Sequence, residues 1–486
     1  MSGEVRVRRL HTVVTCAAFA MFAWLTTRHV GESAFLEDQV DQLQNFESLL
    51  RLQPEGLWGA IMSGTVPAAR ALGPLGAMAF GIPGSLGFGV NAVHVETSLL
   101  IVIATAVCFA AFARIDTVVA WLWLLVFSAT GVVWWNASML WSNTLLLPLG
   151  LTIAALAASS FRDPNRATLG WLAVAVLYAL QLHLVAIVAA PIVAIAGAVT
   201  FREATPVRGV HAWAIAGVAV LAVAPYALAE TMTGFANTRA IVGHLGSGTV
   251  GSAGDTGSAT MSLSIATDPT RLLDTLGLGP LPATIVAAAL AIAALRWLRT
   301  GPLFWLTACA AAAIAGQALF FLWMSRPFAG YHHVTLLAPF YAVVPAVLLR
   351  RVLFRPAVPG RVACAVGGVV LVLLITVGPW LADHYAERTP WSYSRIRATL
   401  DALCGGIGVE TDEGLAFAAL LNPQYDSVLR YMMKRGLTTC RYEPSSDVLI
   451  AVVRDGQYPA SKTIGRATFY RELVLPPGIA RYRRAP

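Results

Sequence analysis

Long apolar runs, separated by short polar segments, make up most of the chain. A run of roughly 17 to 25 apolar residues is long enough to cross about 30 Å of hydrocarbon as a helix. Eleven runs are near this length if the apolar stretch 167–200 is divided at its QLHL sequence. The pattern therefore predicts eleven transmembrane helices, at 10–27, 97–113, 117–135, 143–160, 167–182, 184–200, 211–229, 280–297, 302–324, 334–349 and 362–382.

Arginines cluster in the short segments on one side of these spans, at positions 6, 8, 9, 114, 162, 166, 202, 208, 296, 299, 350, 351, 355 and 361. Because basic residues collect on the cytoplasmic side of membrane proteins, we predict a cytoplasmic N-terminus and, after eleven spans, an extracytoplasmic C-terminus. A basic N-terminus before an apolar run is also typical of a cleaved signal peptide. The length of the run 10–27 and the lack of an A-x-A site after it favour a retained span.

Composition supports a polytopic membrane protein. Hydrophobic residues make up 57% of the 486 residues, charged residues make up 12%, and the mean hydropathy is +0.67. A soluble chain of this length could not bury so much apolar surface. The net charge of +8 does not indicate nucleic-acid binding, because the basic residues are dispersed among short loops and form no patch on a soluble domain.

The chain divides into a transmembrane domain, 1–382, and a C-terminal domain, 383–486. The transmembrane domain has two long segments on its predicted external side, 28–96 and 230–279. In the C-terminal domain, WSYSRIRATLDALC and YDSVLRYMMKRG have helical spacing and DVLIAVVRD reads as a buried strand, which predicts a small α/β domain. An oxidising external compartment favours a disulfide between Cys404 and Cys440.

Carboxylates gather directly after the first span, although the chain has few of them. Apolar residues recur every three or four positions over 35–52, which predicts an amphipathic helix lying along the membrane surface. Its acidic positions are Glu37, Asp38, Asp41 and Glu47. Two interpretations stay open: a solvated polar face, or carboxylates held at the water–lipid boundary as a general base or metal ligand.

The order of five further segments along the chain is also informative. They are LGPLGAMAFGIPGSLGFGVNAVHVETSLLIV (72–102), WNASMLWSNTLLLPLGL (135–151), ALQLHLVAI (179–187), PYALAETMTGFANTRAIVG (225–243) and RPFAGYHHVTLLAPFYAV (326–343). Together with the acidic pair Glu37–Asp38, this order resembles the GT-C glycosyltransferases. It is most similar to the bacterial branch related to protein O-mannosyltransferases and the lipid A aminoarabinose transferase. The resemblance covers most of 1–350, and the C-terminal domain adds nothing to it.

The resemblance implies an inverting glycosyltransferase of the bacterial cytoplasmic membrane. Such an enzyme takes a sugar from a polyprenyl-phosphate carrier and passes it to a hydroxyl of a lipid, a polysaccharide or a protein at the outer face. It implies Asp38 as the general base, with Glu37 as the runner-up or as a metal-orienting partner. The family does not use metal uniformly, so a divalent ion held by Glu37, Asp38 or His183 stays open.

Cations at two external positions are candidates for binding the carrier phosphate. Arg326, His332 and His333 lie in SRPFAGYHH between two late spans, and Arg239 follows the seventh span. Arginine is disfavoured on the external side, so its presence there indicates a functional role. The alternative is that Arg326 extends to the lipid headgroups. His183 interrupts an apolar run, so it either faces a substrate cavity or hydrogen-bonds a neighbouring helix.

Two other classes of protein remain as alternatives. A transporter or lipid flippase would favour charged residues inside spans and internal symmetry, and this chain shows few such charges and no detectable repeat. A non-catalytic assembly protein would leave the acidic helix and the external arginines and histidines without a purpose. The sequence therefore favours the enzyme.

Overall fold

A computed structural model describes residues 3–35, 37–58, 61–62, 69–70, 72–85, 90–203, 209–246, 290–324, 335–354, 359–386, 392–405, 408–411, 423–435, 437–443, 446–452, 460–464, 467–476 and 479–485. Most of these residues are helical. The first twelve helices are α1 (Gly3–Thr27), α2 (Glu37–Leu50), α3 (Pro54–Leu57), α4 (Leu75–Ser85), α5 (Val90–Ala113), α6 (Thr117–Ser128), α7 (Gly131–Ser138), α8 (Leu146–Arg162), α9 (Arg166–Leu182), α10 (Ala190–Glu203), α11 (Val210–Thr233) and α12 (Ala236–Gly246). They are followed by α13 (Pro302–Met324), α14 (Ala338–Tyr341), α15 (Val343–Leu353), α16 (Pro359–Thr376), α17 (Gly378–Tyr385), α18 (Tyr393–Cys404) and α19 (Pro423–Lys434).

Five helical segments of the described chain are long and apolar enough to cross a membrane: Val5–Thr27, Val90–Ala113, Asn143–Arg162, Leu184–Phe201 and Val210–Thr233. The pair α6–α7 bends by 62° and the pair α16–α17 by 52°, so the described residues hold up to seven spans if each pair counts as one. Two shorter apolar helices, Arg166–Leu182 and Pro302–Gln317, coincide with further predicted spans. The count of eleven stays a prediction.

The long apolar run breaks where the sequence predicts. Helix α9 ends at Leu182, His183 has an extended backbone, and a 3-10 helix, Leu184–Ala189, leads into α10. The predicted span 334–349 is instead divided between α14 and α15, and most of 280–297 lies outside the described residues.

Aromatic side chains fill the centre of the helical bundle. Trp121 and Trp123 on α6 are fully buried, and the ring of Trp123 stacks on that of Phe127 with 5.0 Å between centroids. Gly367 on α16 lies so close to Trp121 that a Cβ atom there would approach its ring to 2.7 Å. Glycine is therefore needed at position 367 for α16 to pack against α6.

The C-terminal region forms a six-stranded mixed sheet. Its strands are β3 (Gly408–Thr411), β4 (Arg441–Tyr442), β5 (Val448–Val452), β6 (Ser461–Ile464), β7 (Ala467–Leu475) and β8 (Ile479–Arg484), and their order in the sheet is β4-β3-β5-β8-β7-β6. β3 is parallel to β4 and β5, and the other pairs are antiparallel. A separate two-stranded ribbon pairs β1 (Ile61–Met62) with β2 (Ala69–Arg70).

The apolar faces of α18 and α19 share one core with the sheet, and a disulfide joins Cys404 at the end of α18 to Cys440 just before β4. The predicted strand coincides with β5, and the two predicted helices coincide with α18 and α19. A small α/β unit therefore follows the apolar helices.

Candidate functional site

Helix α2, which carries the acidic residues, is buried on both its apolar and its polar sides. It packs against α3, α4 and α19. Val40, Leu43 and Phe46 are buried, as expected, but Gln39, Gln42 and Asn45 are also only 4%, 1% and 3% exposed. These polar side chains are therefore covered by protein and not by water. The position of α2 along a membrane surface stays a prediction.

Close backbone approach fixes the contact between α2 and α4. A Cβ atom at Gly81 of α4 would overlap the ring of Phe46, so only glycine lets the aromatic side chain pack at this position. Val40 and Leu43 of α2 belong to the same apolar cluster as residues of α18 and α19. Position and orientation of α2 thus depend on partners both nearby and far away in the chain.

An unbroken chain of hydrogen bonds links α2 to Arg70. The amide nitrogen Nδ2 of Asn45 donates to Oδ2 of Asp41 at 3.0 Å, and Nη1 of Arg70 donates to Oδ1 of Asn45 at 3.2 Å. One amide therefore separates a carboxylate from a guanidinium. Among the described residues, Arg70 forms no ion pair with a carboxylate, so much of its capacity to bind an anion remains.

The backbone of Arg70 is fixed by Asn237, which lies on α12. The backbone N–H of Arg70 donates to Oδ1 of Asn237 at 2.7 Å, and Nδ2 of Asn237 donates back to the carbonyl of Arg70 at 3.0 Å. This reciprocal pairing imitates one rung of a β-ladder. The half-buried Arg70 is thereby held beside the polar side of α2.

A buried carboxylate anchors the segment that follows α2. Glu230 near the end of α11 is 2% exposed and accepts hydrogen bonds from Trp58 Nε1 at 3.0 Å and from the Thr238 N–H at 3.0 Å. Both oxygens are thus satisfied, as a buried carboxylate requires.

The C-terminal region contacts both ends of α2. Just before α2, the rings of Phe35 and Tyr393 meet edge to face at 5.4 Å, and Ala34 pairs with Ser392 through a β-bridge. In the last turns of α2, Glu47 forms an ion pair with Arg435, which follows α19. The sheet-bearing region therefore takes part in holding the acidic helix.

A second charged cluster joins the end of α1 to α17. The His29 ring, 6% exposed, contacts Glu32 through Nδ1 at 3.0 Å and Asp383 through Nε2 at 2.9 Å. Nη2 of Arg28 contacts Asp383 at 3.1 Å. The described part of the chain contains no group of three His, Cys, Asp or Glu residues placed to hold a metal ion.

The predicted site residues fall into three groups. Glu37 and Asp38 form the first turn of α2, and their side chains lie outside what the structure describes. Arg326, His332 and His333 also lie outside the described residues.

The two remaining candidates have local partners. His183 is half-buried, and its Nδ1 accepts the Val185 N–H at 3.1 Å, which caps the 3-10 helix. Arg239 is exposed and donates through Nη1 to the Gly234 carbonyl at 2.6 Å.

Sequence reasoning missed Arg70, Asn45, Trp58 and Glu230. A signal for Arg70 was present, since it lies in a predicted external segment where arginine is disfavoured, the same argument that singled out Arg326. Its partner Asn237 is 167 positions away, and no local pattern indicates that pairing. Comparison of the chain with known protein families, curated proteins and solved structures found no match.

Proposed function

We propose that the protein is an integral membrane glycosyltransferase that moves a sugar from a polyprenyl-phosphate carrier to a hydroxyl acceptor. The reaction would take place at the outer face of a bacterial cytoplasmic membrane, with the N-terminus cytoplasmic and the C-terminal domain extracytoplasmic. The acceptor is a lipid, a glycan or a protein. The resemblance to GT-C enzymes supplies the reaction class, and the described residues supply the reason to place the chemistry at α2.

One observation carries the proposal: three amide side chains on the polar side of α2 are buried, and one of them, Asn45, joins a carboxylate to a guanidinium that forms no ion pair among the described residues. Asp41 and Arg70 are on opposite sides of Asn45. The Arg70 guanidinium can bind a phosphate, and a carboxylate in the first turn of α2 can take the proton of an acceptor hydroxyl.

The proposed reaction balances as follows. The acceptor hydroxyl oxygen attacks the anomeric carbon, and its proton passes to a carboxylate of α2. The bond from the anomeric carbon to the phosphate oxygen breaks, and the electron pair leaves with the polyprenyl phosphate. Attack opposite the leaving group inverts the anomeric configuration.

We assign the base to Asp38, with Glu37 as the second candidate, because the resemblance to GT-C enzymes places an acidic pair at the start of this helix. Arg70 joins Arg326, His332 and His333 as a candidate for the phosphate. A divalent ion bound by Glu37, Asp38 or His183 stays part of the proposal, and no step above depends on it.

Turnover of an Asp38→Asn variant tests the assignment. Purified protein in lipid nanodiscs would be given polyprenyl-phosphate sugars and membrane extract as the acceptor source, and released polyprenyl phosphate would be measured. We expect at least a hundredfold loss in Asp38→Asn, with unchanged expression and melting temperature. Asp163→Asn, an exposed carboxylate after α8, is the matched control and should retain activity. Equal activity in both variants would refute the role of Asp38.

A further inference from the structure

Gln42 stands out on the polar side of α2 because its side-chain carbonyl is buried and unpaired. The residue is 1% exposed, and its Oε1 atom has no hydrogen-bond partner among the described residues. Its neighbour Asn45 differs, since both the oxygen and the nitrogen of that amide are bonded. Of these two amides on one side of one helix, the oxygen of Asn45 therefore accepts a hydrogen bond and the oxygen of Gln42 does not.

An unpaired buried acceptor destabilises a fold, and nearly all buried polar groups in proteins are hydrogen-bonded. A carbonyl oxygen accepts a hydrogen bond from a hydroxyl or an N–H group, and it offers nothing to an anion or an apolar chain. The same side of α2 carries Asp41 and, through Asn45, Arg70. A ligand that meets all these groups would carry hydroxyls beside a phosphate.

We propose that Gln42 Oε1 accepts a hydrogen bond from a ring hydroxyl of the carrier-linked sugar. This inference rests on the proposed function. The sugar hydroxyl would satisfy the Gln42 acceptor, which has no partner among the described residues, while Arg70 binds the adjacent phosphate. Gln42 is then a specificity-determining residue that separates the glycosylated carrier from the bare carrier. A site that hydrogen-bonds a hydroxyl discriminates strongly against ligands that lack it, because its buried polar group is then left unpaired.

Binding measurements on Gln42→Leu test this inference, with Gln44→Leu as the matched control because Gln44 is the same residue type on the same helix and is exposed. Affinities for polyprenyl phosphate and for its mannosyl, glucosyl and arabinosyl forms would be measured in nanodiscs by native mass spectrometry. We expect the wild type and Gln44→Leu to prefer one glycosylated form over the bare carrier about tenfold. Gln42→Leu should lose that preference and keep its affinity for the bare carrier.

Melting temperature provides a second readout. Leucine removes an unpaired polar group from a buried position, so Gln42→Leu should melt at the wild-type temperature or above it. A lower melting temperature would mean that Gln42 has a structural partner, and the inference would be wrong.

The remaining outcomes separate this inference from the proposed function. If Gln42→Leu keeps the sugar preference, or if the wild type binds bare and glycosylated carriers equally, the role of Gln42 is refuted while the carrier remains the ligand. If the wild type binds neither form, the proposed function fails, and the role of Gln42 fails with it.

Discussion

The indole Nε1 of Trp58 donates a 3.0 Å hydrogen bond to the buried carboxylate of Glu230. The two residues are 172 positions apart in the chain. Trp58 follows α3, and Glu230 lies near the end of α11, the last of the five apolar helical segments. This bond therefore adds a polar link between the unit formed by α2 and α3 and helix α11, against which α3 also packs.

Replacement of Trp58 by phenylalanine should weaken that connection. Phenylalanine keeps an aromatic ring but leaves one oxygen of a buried carboxylate without its donor, which costs about 1–3 kcal/mol. The measurement is the unfolding midpoint of the detergent-solubilised protein. Trp213→Phe on α11 is the control, since Trp213 is 80% exposed, and it should leave the midpoint unchanged. Equal midpoints for both variants would show that the Trp58 bond does not contribute.

Arg70→Ala should reduce the affinity for polyprenyl phosphate by about tenfold or more, because a charge-assisted contact with the phosphate is lost. Asn45→Ala should have a smaller effect in the same direction, because Arg70 keeps its charge but loses the amide that orients it. Affinity in nanodiscs is the readout. Arg51→Ala removes an exposed cation just after α2 and is the control. An equal loss in Arg51→Ala would mean that surface charge alone attracts the lipid.

The disulfide between Cys404 and Cys440 should stabilise the C-terminal region. It closes a loop with a sequence separation of 36 residues, and a crosslink of this kind contributes about 2–4 kcal/mol. The Cys404→Ala/Cys440→Ala double variant should be cleaved faster by protease within 392–485, whereas Cys16→Ala on α1 should not. Titration of six free thiols in the unreduced wild type would contradict the bond.

Asp401 should make the stability of the C-terminal region depend on acid pH. Partial burial alone would raise the pKa of its carboxyl, but hydrogen bonds from Thr438 and Thr439 and the charge of Arg397 outweigh burial and lower it. A carboxyl whose pKa is lowered in the folded state stabilises the fold at pH values above its ordinary pKa of about 3.9. That contribution is lost as the pH falls through the folded-state pKa.

Comparison of wild type with Asp401→Asn checks this sign. Wild type should be more stable by about 1 kcal/mol at pH 7, and the difference should shrink below about pH 4. Asp447→Asn is the control because its carboxylate is exposed and lies 3.6 Å from Arg484. A difference between wild type and Asp401→Asn that stays constant into acid would exclude a lowered pKa.

Local patterns predicted the parts of the fold that depend on local interactions. Helical spacing identified α2, α18 and α19, the strand pattern identified β5, and the polar residues near His183 marked the break before the 3-10 helix. Hydropathy could not show the sharp bends after α6 and α16, because apolar residues continue on both sides of each break. Apolar composition indicates burial in lipid or protein, and it does not indicate the direction of the helix axis.

The candidate site depends on contacts between distant segments. Gln39, Gln42 and Asn45 of α2 have the composition of a solvated surface but are buried. The apolar residues Val40 and Leu43 share one cluster with α18 and α19, more than 300 positions later. The periodicity of apolar residues also does not predict the pairing of Arg70 with Asn237. Sequence alone therefore located the acidic helix but not the environment that changes its chemistry.

The central claim is that this protein binds a polyprenyl-phosphate carrier, and native mass spectrometry in nanodiscs doped with polyprenyl phosphate tests it most directly. We predict retention of the carrier by the wild type, in bare or glycosylated form, against an excess of phosphatidylglycerol, and loss of that retention in Arg70→Ala. Retention of phosphatidylglycerol and polyprenyl phosphate in the proportion present in the nanodisc would contradict the claim.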